Sequence, residues 1–163
     1  MKISVIVTNY NGQKLLKKFL PNVFKNSPEA DEIIVTDDAS KDGSSKYLNS
    51  LLSKYPNLKI IRHTKNIGFS ANTNFAVNKA KGDYIVLLNN DINPQQNYIK
   101  NSLNHFKDGK VFGVGFAEIG KENWARFFWK GGYIQYNQGK PINKPHITGW
   151  LSGGSSIIRK DYF

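Results

Sequence analysis

Four polar clusters each follow a short β-branched run, and they hold most of the residues able to do chemistry. Thr8-Asn9-Tyr10 follows Ile3-Ser4-Val5-Ile6-Val7, and Asp37-Asp38 follows Glu32-Ile33-Ile34-Val35-Thr36. Asn66-Ile67-Gly68 comes after Leu58-Lys59-Ile60-Ile61, and Asn89-Asn90-Asp91 after Tyr84-Ile85-Val86-Leu87-Leu88. A carboxylate at the end of a strand accepts hydrogen bonds from a ribose or a base edge, or coordinates a divalent cation. Asp37, Asp38 and Asp91 on one rim are the arrangement a metal and phosphate site requires. Each also has a plainer reading. Asp91 and Asn93 suit a turn and a helix cap, and one of Asp37 and Asp38 suits capping the helix that follows. These residues alone leave both readings open.

The elements between the clusters must bring them together. The β-branched runs read as strands, with a further one over residues 110–116. Leu15, Leu16, Phe19, Leu20, Val23 and Phe24 recur at helical spacing, with Pro21 expected to kink that helix or end it early. Helices are also expected over residues 43–55 and 69–80, and another from an Asn93 cap and first-turn Pro94 to about Phe106. Strands alternating with helices predict a mainly parallel sheet flanked by helices in three α/β/α layers. Ligands of such sheets bind at the carboxyl ends of the strands, where all four clusters fall. Beyond Gly120 the rhythm stops: residues 124–136 are aromatic and basic, 139–145 loop-like, and 155–159 suit one more strand.

Composition narrows the classes. The 163 residues amount to about one domain, with 39 % hydrophobic and 13 % aromatic residues, enough for a sizeable core. No Cys occurs, which excludes disulfides, thiolate zinc sites and thiol nucleophiles. His63, His105 and His146 share no metal-ligand spacing, Gly113-x-Gly115 lacks a third glycine, and no phosphate-loop Gly-Lys-Ser/Thr is present. The net charge of +11 asks for an anionic partner. With 20 Lys and only 3 Arg, and no recognition-helix or RNA-binding fingerprint, nucleic acid is not expected. No apolar run reaches a membrane span and no signal-peptide pattern leads the chain, so the expected compartment is the cytoplasm, with the inner face of the membrane as its alternative. Trp124, Phe127, Phe128 and Trp129, interleaved with Arg126 and Lys130, suit core packing, an acceptor-stacking wall or a membrane-interface patch.

Taken together, five segments resemble family-2 glycosyltransferases of the GT-A fold. They are Ser4-Val5-Ile6-Val7-Thr8-Asn9-Tyr10-Asn11-Gly12, residues 33–44 with Asp37-Asp38-Ala39-Ser40, residues 66–74 from Asn66-Ile67-Gly68-Phe69, Gly82-Asp83 through Asn89-Asn90-Asp91, and Gly149-Trp150-Leu151-Ser152-Gly153-Gly154. The resemblance spans essentially the whole chain, and the Asn-x-Gly-Phe and Leu-Leu-Asn-Asn-Asp wording is most similar to the rhamnosyl- and galactofuranosyltransferase-like branch. It implies that Thr8, Asn9, Tyr10, Asp37, Asp38, Asn66, Gly68, Asn89 and Asn90 contact a nucleotide-diphosphate sugar carrying uracil or thymine. It also implies that Asp91 holds Mg²⁺ or Mn²⁺ on the diphosphate, Asn89 standing where the family's metal motif has its first Asp. Trp150, Gly153 and Gly154 become candidates for the acceptor side. The N-terminus of the helix after Gly68 is expected to favour phosphate.

The reaction so implied moves a sugar, with inversion, to a hydroxyl of a glycan or lipid-linked acceptor, with peripheral membrane association as a further expectation. In the family a carboxylate shortly after the Gly-Trp-Leu-Ser-Gly-Gly segment removes the acceptor proton. Asp161 is the only carboxylate after that segment and reads as a surface or strand-end charge, so the base is expected beyond Phe163. The chain is accordingly expected to be one GT-A domain truncated at its C-terminus, with residues 1–118 as the nucleotide-sugar half and 119–163 as the start of the acceptor-side half. Such a piece is expected to bind donor with little turnover. A non-catalytic nucleotide-binding module of the same fold, or a basic nucleic-acid-binding domain, are the competing classes.

Overall fold

The computed structural model describes residues 1–120, 124–139 and 144–163. Of the loop expected over 139–145, residues 140–143 lie outside the described residues. In chain order the elements are β1 (Ile3–Asn9), α1 (Gln13–Asn26), β2 (Glu32–Asp37), α2 (Ser44–Leu51), β3 (Leu58–Arg62), α3 (Phe69–Lys79) and β4 (Tyr84–Asn89). There follow α4 (Tyr98–Leu103) with a 3₁₀ turn over Asn104–Lys107, β5 (Gly113–Gly115), β6 (Ala125–Lys130), β7 (Tyr133–Gln138) and β8 (Ser155–Arg159).

Six strands form one sheet in the order β3-β2-β1-β4-β8-β5. β3, β2, β1 and β4 run parallel, while β8 is antiparallel to both of its neighbours. The period-2 alternation of the strands sorts their side chains onto two faces. Val5, Val7, Ile33, Val35, Val86, Leu88 and Ile157 face α1, α2 and α4 through Leu16, Leu20, Val23, Leu48 and Ile99. Ile6, Ile34, Ile85, Leu87 and Ile158 face α3 through Ala76, Val77 and Ala80. This is the expected three-layer α/β/α arrangement. Burying each of these Ile or Leu side chains contributes roughly 1.5–3 kcal/mol. At the N-terminal end of the strands, Glu32 accepts from Ser4 Oγ at 2.6 Å and from the Lys81 N–H at 2.6 Å, and is paired with Lys59.

Four local expectations are corrected. α1 does not end early but runs through Pro21 to Asn26. Pro21 and Lys17, whose carbonyl loses its helical partner, are both exposed, so water replaces the missing bond. Asn93 and Pro94 do not begin α4, which starts at Tyr98 after Asn97 in the left-handed region, φ 61°. Their polar atoms are engaged elsewhere: Asn93 Oδ1 accepts from Asn22 Nδ2 at 2.8 Å and the Pro94 carbonyl accepts from Asn26 Nδ2 at 2.7 Å. α2 stops at Leu51 rather than Tyr55, and β5 keeps only three residues of the expected seven. The aromatic stretch forms an antiparallel ribbon, β6 with β7, joined by Gly131-Gly132. Both glycines have positive φ, 62° and 81°, as a tight two-residue hairpin requires.

Candidate functional site

The ends of β1, β2 and β4 and the loop before α3 enclose a cleft of about 410 Å³, lined by Thr8, Asn9, Tyr10, Asp38, Asn66, Gly68, Phe69, Asn72, Asn89, Asn90 and Asp91. Nine of the eleven are residues singled out by sequence. The parallel register explains the convergence, because Thr8 pairs with Asn89 on one side and Thr36 on the other.

Three loops are stitched together beneath the cleft. Asn9 is buried, donating from Nδ2 to Asp37 Oδ1 at 2.6 Å and accepting at Oδ1 from Asn90 Nδ2 at 2.8 Å. Asp37 also accepts from the Ser40 hydroxyl at 2.5 Å, and Ser40 Oγ accepts from the Asn11 N–H at 2.8 Å. Asp37 is thus spent on holding loops rather than lining the cleft. A Cβ on Gly12 would lie 2.1 Å from Asn90 Nδ2 and 2.5 Å from Asn9 Oδ1, so only glycine lets the first loop pass this network.

Asp38 is buried and does line the cleft. Its two oxygens accept from the Ile67 N–H at 2.8 Å and the Gly68 N–H at 2.9 Å. Gly68, φ 85°, also donates to Asn66 Oδ1 at 3.1 Å. Asp38 thus sets a carboxylate on the two N–H groups just before α3, which begins at Phe69. Neither Asp37 nor Asp38 caps α2. Asp42 does so, accepting from Ser44 Oγ at 2.6 Å and the Ser44 N–H at 3.1 Å, while its other oxygen accepts from the Gln13 N–H at 2.8 Å. Partial burial opposes ionisation of Asp42, but these hydrogen bonds outweigh it and hold the carboxyl below its usual range.

Asp91 differs from both. It is exposed on the turn after β4 and makes no hydrogen bond or ion pair to the described residues. Among the described residues no group of three His, Cys, Asp or Glu assembles into a metal cage. A single free carboxylate next to a phosphate-sized cleft nevertheless fits a cation that takes one or two protein oxygens and completes its shell with phosphate and water.

The Gly149 to Gly154 segment closes one side. The Asn89 N–H donates to the Gly154 carbonyl at 2.9 Å, and a Cβ on Gly154 would come within 2.3 Å of the Asn89 side chain. Gly153 passes Phe69, whose ring would lie 3.7 Å from a Cβ there. Trp150 is part-exposed and packs toward Tyr136 of the ribbon at 6.1 Å between ring centroids. Asp161 is exposed in the terminal 3₁₀ turn, as expected of a surface charge. Phe69 and Asn72 were not anticipated as lining residues. Asn72 faces the cleft because it bonds Thr36 on β2, accepting from its hydroxyl and donating to its carbonyl at 3.3 Å. Their spacing on α3, a residue at the helix start and one a turn later, was the available signal.

Among solved structures, a mannosyltransferase from Pyrobaculum calidifontis in complex with GDP-Man and Mn²⁺ is 25 % identical. It superposes with a TM-score of 0.64 over 70 % of this chain and 34 % of that one. GalNAc-T7, solved with UDP, GalNAc and Mn²⁺, shares the fold across 100 % of this chain and 36 % of its own at a TM-score of 0.80 and 18 % identity. The architecture is thus the expected GT-A one. A dolichol-phosphate mannosyltransferase of Pyrococcus furiosus is 32 % identical over 128 residues, 76 % of this chain and 36 % of the relative. The chain therefore spans about a third of the length of these three proteins. The sequence profile of glycosyl transferase family 2 fits residues 4–163, taking in every strand end that builds the cleft, and the chain belongs to that family.

Proposed function

We propose that the cleft binds the nucleoside diphosphate of a UDP- or dTDP-sugar together with Mg²⁺ or Mn²⁺, and that the protein transfers the sugar, with inversion, to a hydroxyl of a glycan or lipid-linked acceptor. The observation that carries this reading is the convergence of Thr8, Asp38, Asn66, Gly68, Asn89 and Asp91 on one cavity, in a fold whose mannosyltransferase relative was solved with GDP-Man and Mn²⁺. Asp38, already fixed by two backbone N–H groups, keeps free lone pairs to accept from a base or ribose without reorganising. Thr8 at the end of β1 and Tyr10 just after it line the same cleft. Asp91 and the adjacent Asn89 would hold the cation, which when bound neutralises charge on the diphosphate leaving group. Phe69, Gly153 and Gly154 would then bound the sugar, and Trp150 the approach of the acceptor. No residue of the chain is assigned as the base that takes the acceptor proton.

Calorimetric titration of UDP, dTDP and GDP, with and without Mn²⁺, tests the reading. Metal-dependent binding that vanishes in Asp91→Ala supports it, and transfer assays with UDP-, dTDP- and GDP-sugars then decide whether the rhamnosyl and galactofuranosyl resemblance extends to the donor. Nucleotide binding without transfer by the full-length protein would identify a non-catalytic module. Salt-sensitive RNA or DNA binding with no nucleotide preference would assign the basic surface to nucleic acid instead.

A further inference from the structure

The β6–β7 ribbon carries a group of apolar side chains that the cleft does not use. Directly opposed residues of an antiparallel pair share a face. The register therefore puts Phe127, Trp129, Ile134 and Tyr136 on one face, and Arg126, Phe128, Lys130, Tyr133, Gln135 and Asn137 on the other. At the base the first face is covered: Phe127 abuts Gly149, where a Cβ would come within 2.3 Å of its ring, and Tyr136 leans toward Trp150. At the tip nothing among the described residues covers it. Trp129 is 71 % exposed, Ile134 70 % and Tyr133 73 %, and they surround the two-glycine turn.

Charge around this tip has one sign. The cations on the ribbon itself are Arg126 and Lys130, and no Asp or Glu occurs between Glu122 and Asp161, in a chain of net charge +11. Apolar and aromatic side chains at a convex end, flanked by cations that can reach sideways, match the interfacial zone of a bilayer, where rings sit at headgroup depth and Lys or Arg meets phosphate. A sugar-stacking platform fits less well. Ile134 offers no ring, and the amides Gln135 and Asn137 lie on the face away from Trp129 and Tyr136.

We infer that the tip of the β6–β7 ribbon is a membrane anchor that seats on an anionic bilayer, Trp129, Tyr133 and Ile134 entering the headgroup region and Lys130 and Arg126 meeting lipid phosphates. The anchor adds a partner on the acceptor side of the function proposed above, and it depends on the ribbon rather than on nucleotide binding. Its consequence is positional: the same ribbon abuts Gly149 and Trp150, so a seated tip holds the acceptor side of the cleft at the lipid surface.

The test is co-sedimentation of the chain with phosphatidylglycerol-containing vesicles and with pure phosphatidylcholine vesicles, alongside UDP titration of the same preparations. Binding should require the anionic lipid, weaken with salt, and fall about tenfold in the Trp129→Ser, Ile134→Ser double variant. An Arg126→Glu, Lys130→Glu double variant should lose binding to the anionic vesicles. UDP titration of each variant reports the cleft separately, so failure of the anchor and failure of the donor reading give different results. Absence of vesicle binding, or binding indifferent to both double variants, overturns the inference. So does self-association of the chain through the ribbon in place of vesicle binding, or quenching of Trp129 fluorescence by a neutral glycan when vesicles leave it unchanged.

Discussion

The carboxylate of Asp38, at the end of β2, accepts the N–H of Gly68 at 2.9 Å across 30 residues of sequence. One side chain therefore sets the path of the loop that leads into α3 and simultaneously forms part of the cleft wall. Replacing Asp38 with Asn turns one of its two acceptors into a donor facing a backbone N–H. The Asp38→Asn variant should lose about 1–3 kcal/mol of stability in urea unfolding, and its affinity for UDP or dTDP should drop by about tenfold or more.

Asp91 should separate function from folding. Because it is exposed and contacts no described partner, Asp91→Ala should leave stability within about 0.5 kcal/mol of the parent. Nucleotide binding in the presence of Mn²⁺ should fall to its metal-free level. A large drop in Tm would show that Asp91 has a structural role and would remove it as the metal ligand.

Glycine is required where Gly154 meets Asn89. A methyl group there would fall 2.3 Å from Asn89 Cγ and push the side chain out of position. Gly154→Ala should cost roughly 1–3 kcal/mol and weaken nucleotide binding several-fold. Gly109, which has no atom within 4 Å of an added Cβ, is the matched control and should tolerate alanine.

Acid should act through Glu32. Burial works against its ionisation, but hydrogen bonds from Lys59, Ser4 and the Lys81 N–H prevail and hold the folded carboxyl below its ordinary value of 4.5. A group more acidic in the folded than the unfolded state stabilises the fold above the unfolded pKa, and that contribution disappears as pH falls through the folded one. Urea midpoints measured from neutral pH down to about pH 3 should therefore decline along a limb that Glu32→Gln makes shallower. The variant should also be less stable at neutral pH, by about 1–3 kcal/mol.

The parallel strands and the cleft were legible because both follow from patterns local to the sequence. A β-branched run bounded by Asn, Asp or Gly announces a strand end, and parallel pairing gathers those ends on one rim. What stayed hidden depends on partners distant in sequence. Asn93 and Pro94 read as a helix start, yet Asn22 and Asn26 of α1 claim their polar atoms. Asp37 and Asp38 look equivalent in sequence. One bonds Asn9 and Ser40 beneath the cleft and the other bonds Ile67 and Gly68 in its wall, and only the fold distinguishes them. The ribbon does have a local sign in the sequence, Gly131-Gly132 between two aromatic runs.

The position of β8 has a consequence for biosynthesis. This strand lies between β4 and β5, and among the described residues it is the only neighbour of β5 in the sheet. Without Ser155–Arg159, one side of β4 is open and β5 has no partner strand among the described residues. That open edge is a template for wrong strand addition until the antiparallel strand arrives, and pairing over so long a separation is the slow step of such a sheet. The arrival of β8 also draws the Gly154 carbonyl onto the Asn89 N–H. Pairing of β8 therefore gives β5 its partner and closes this side of the cleft wall together.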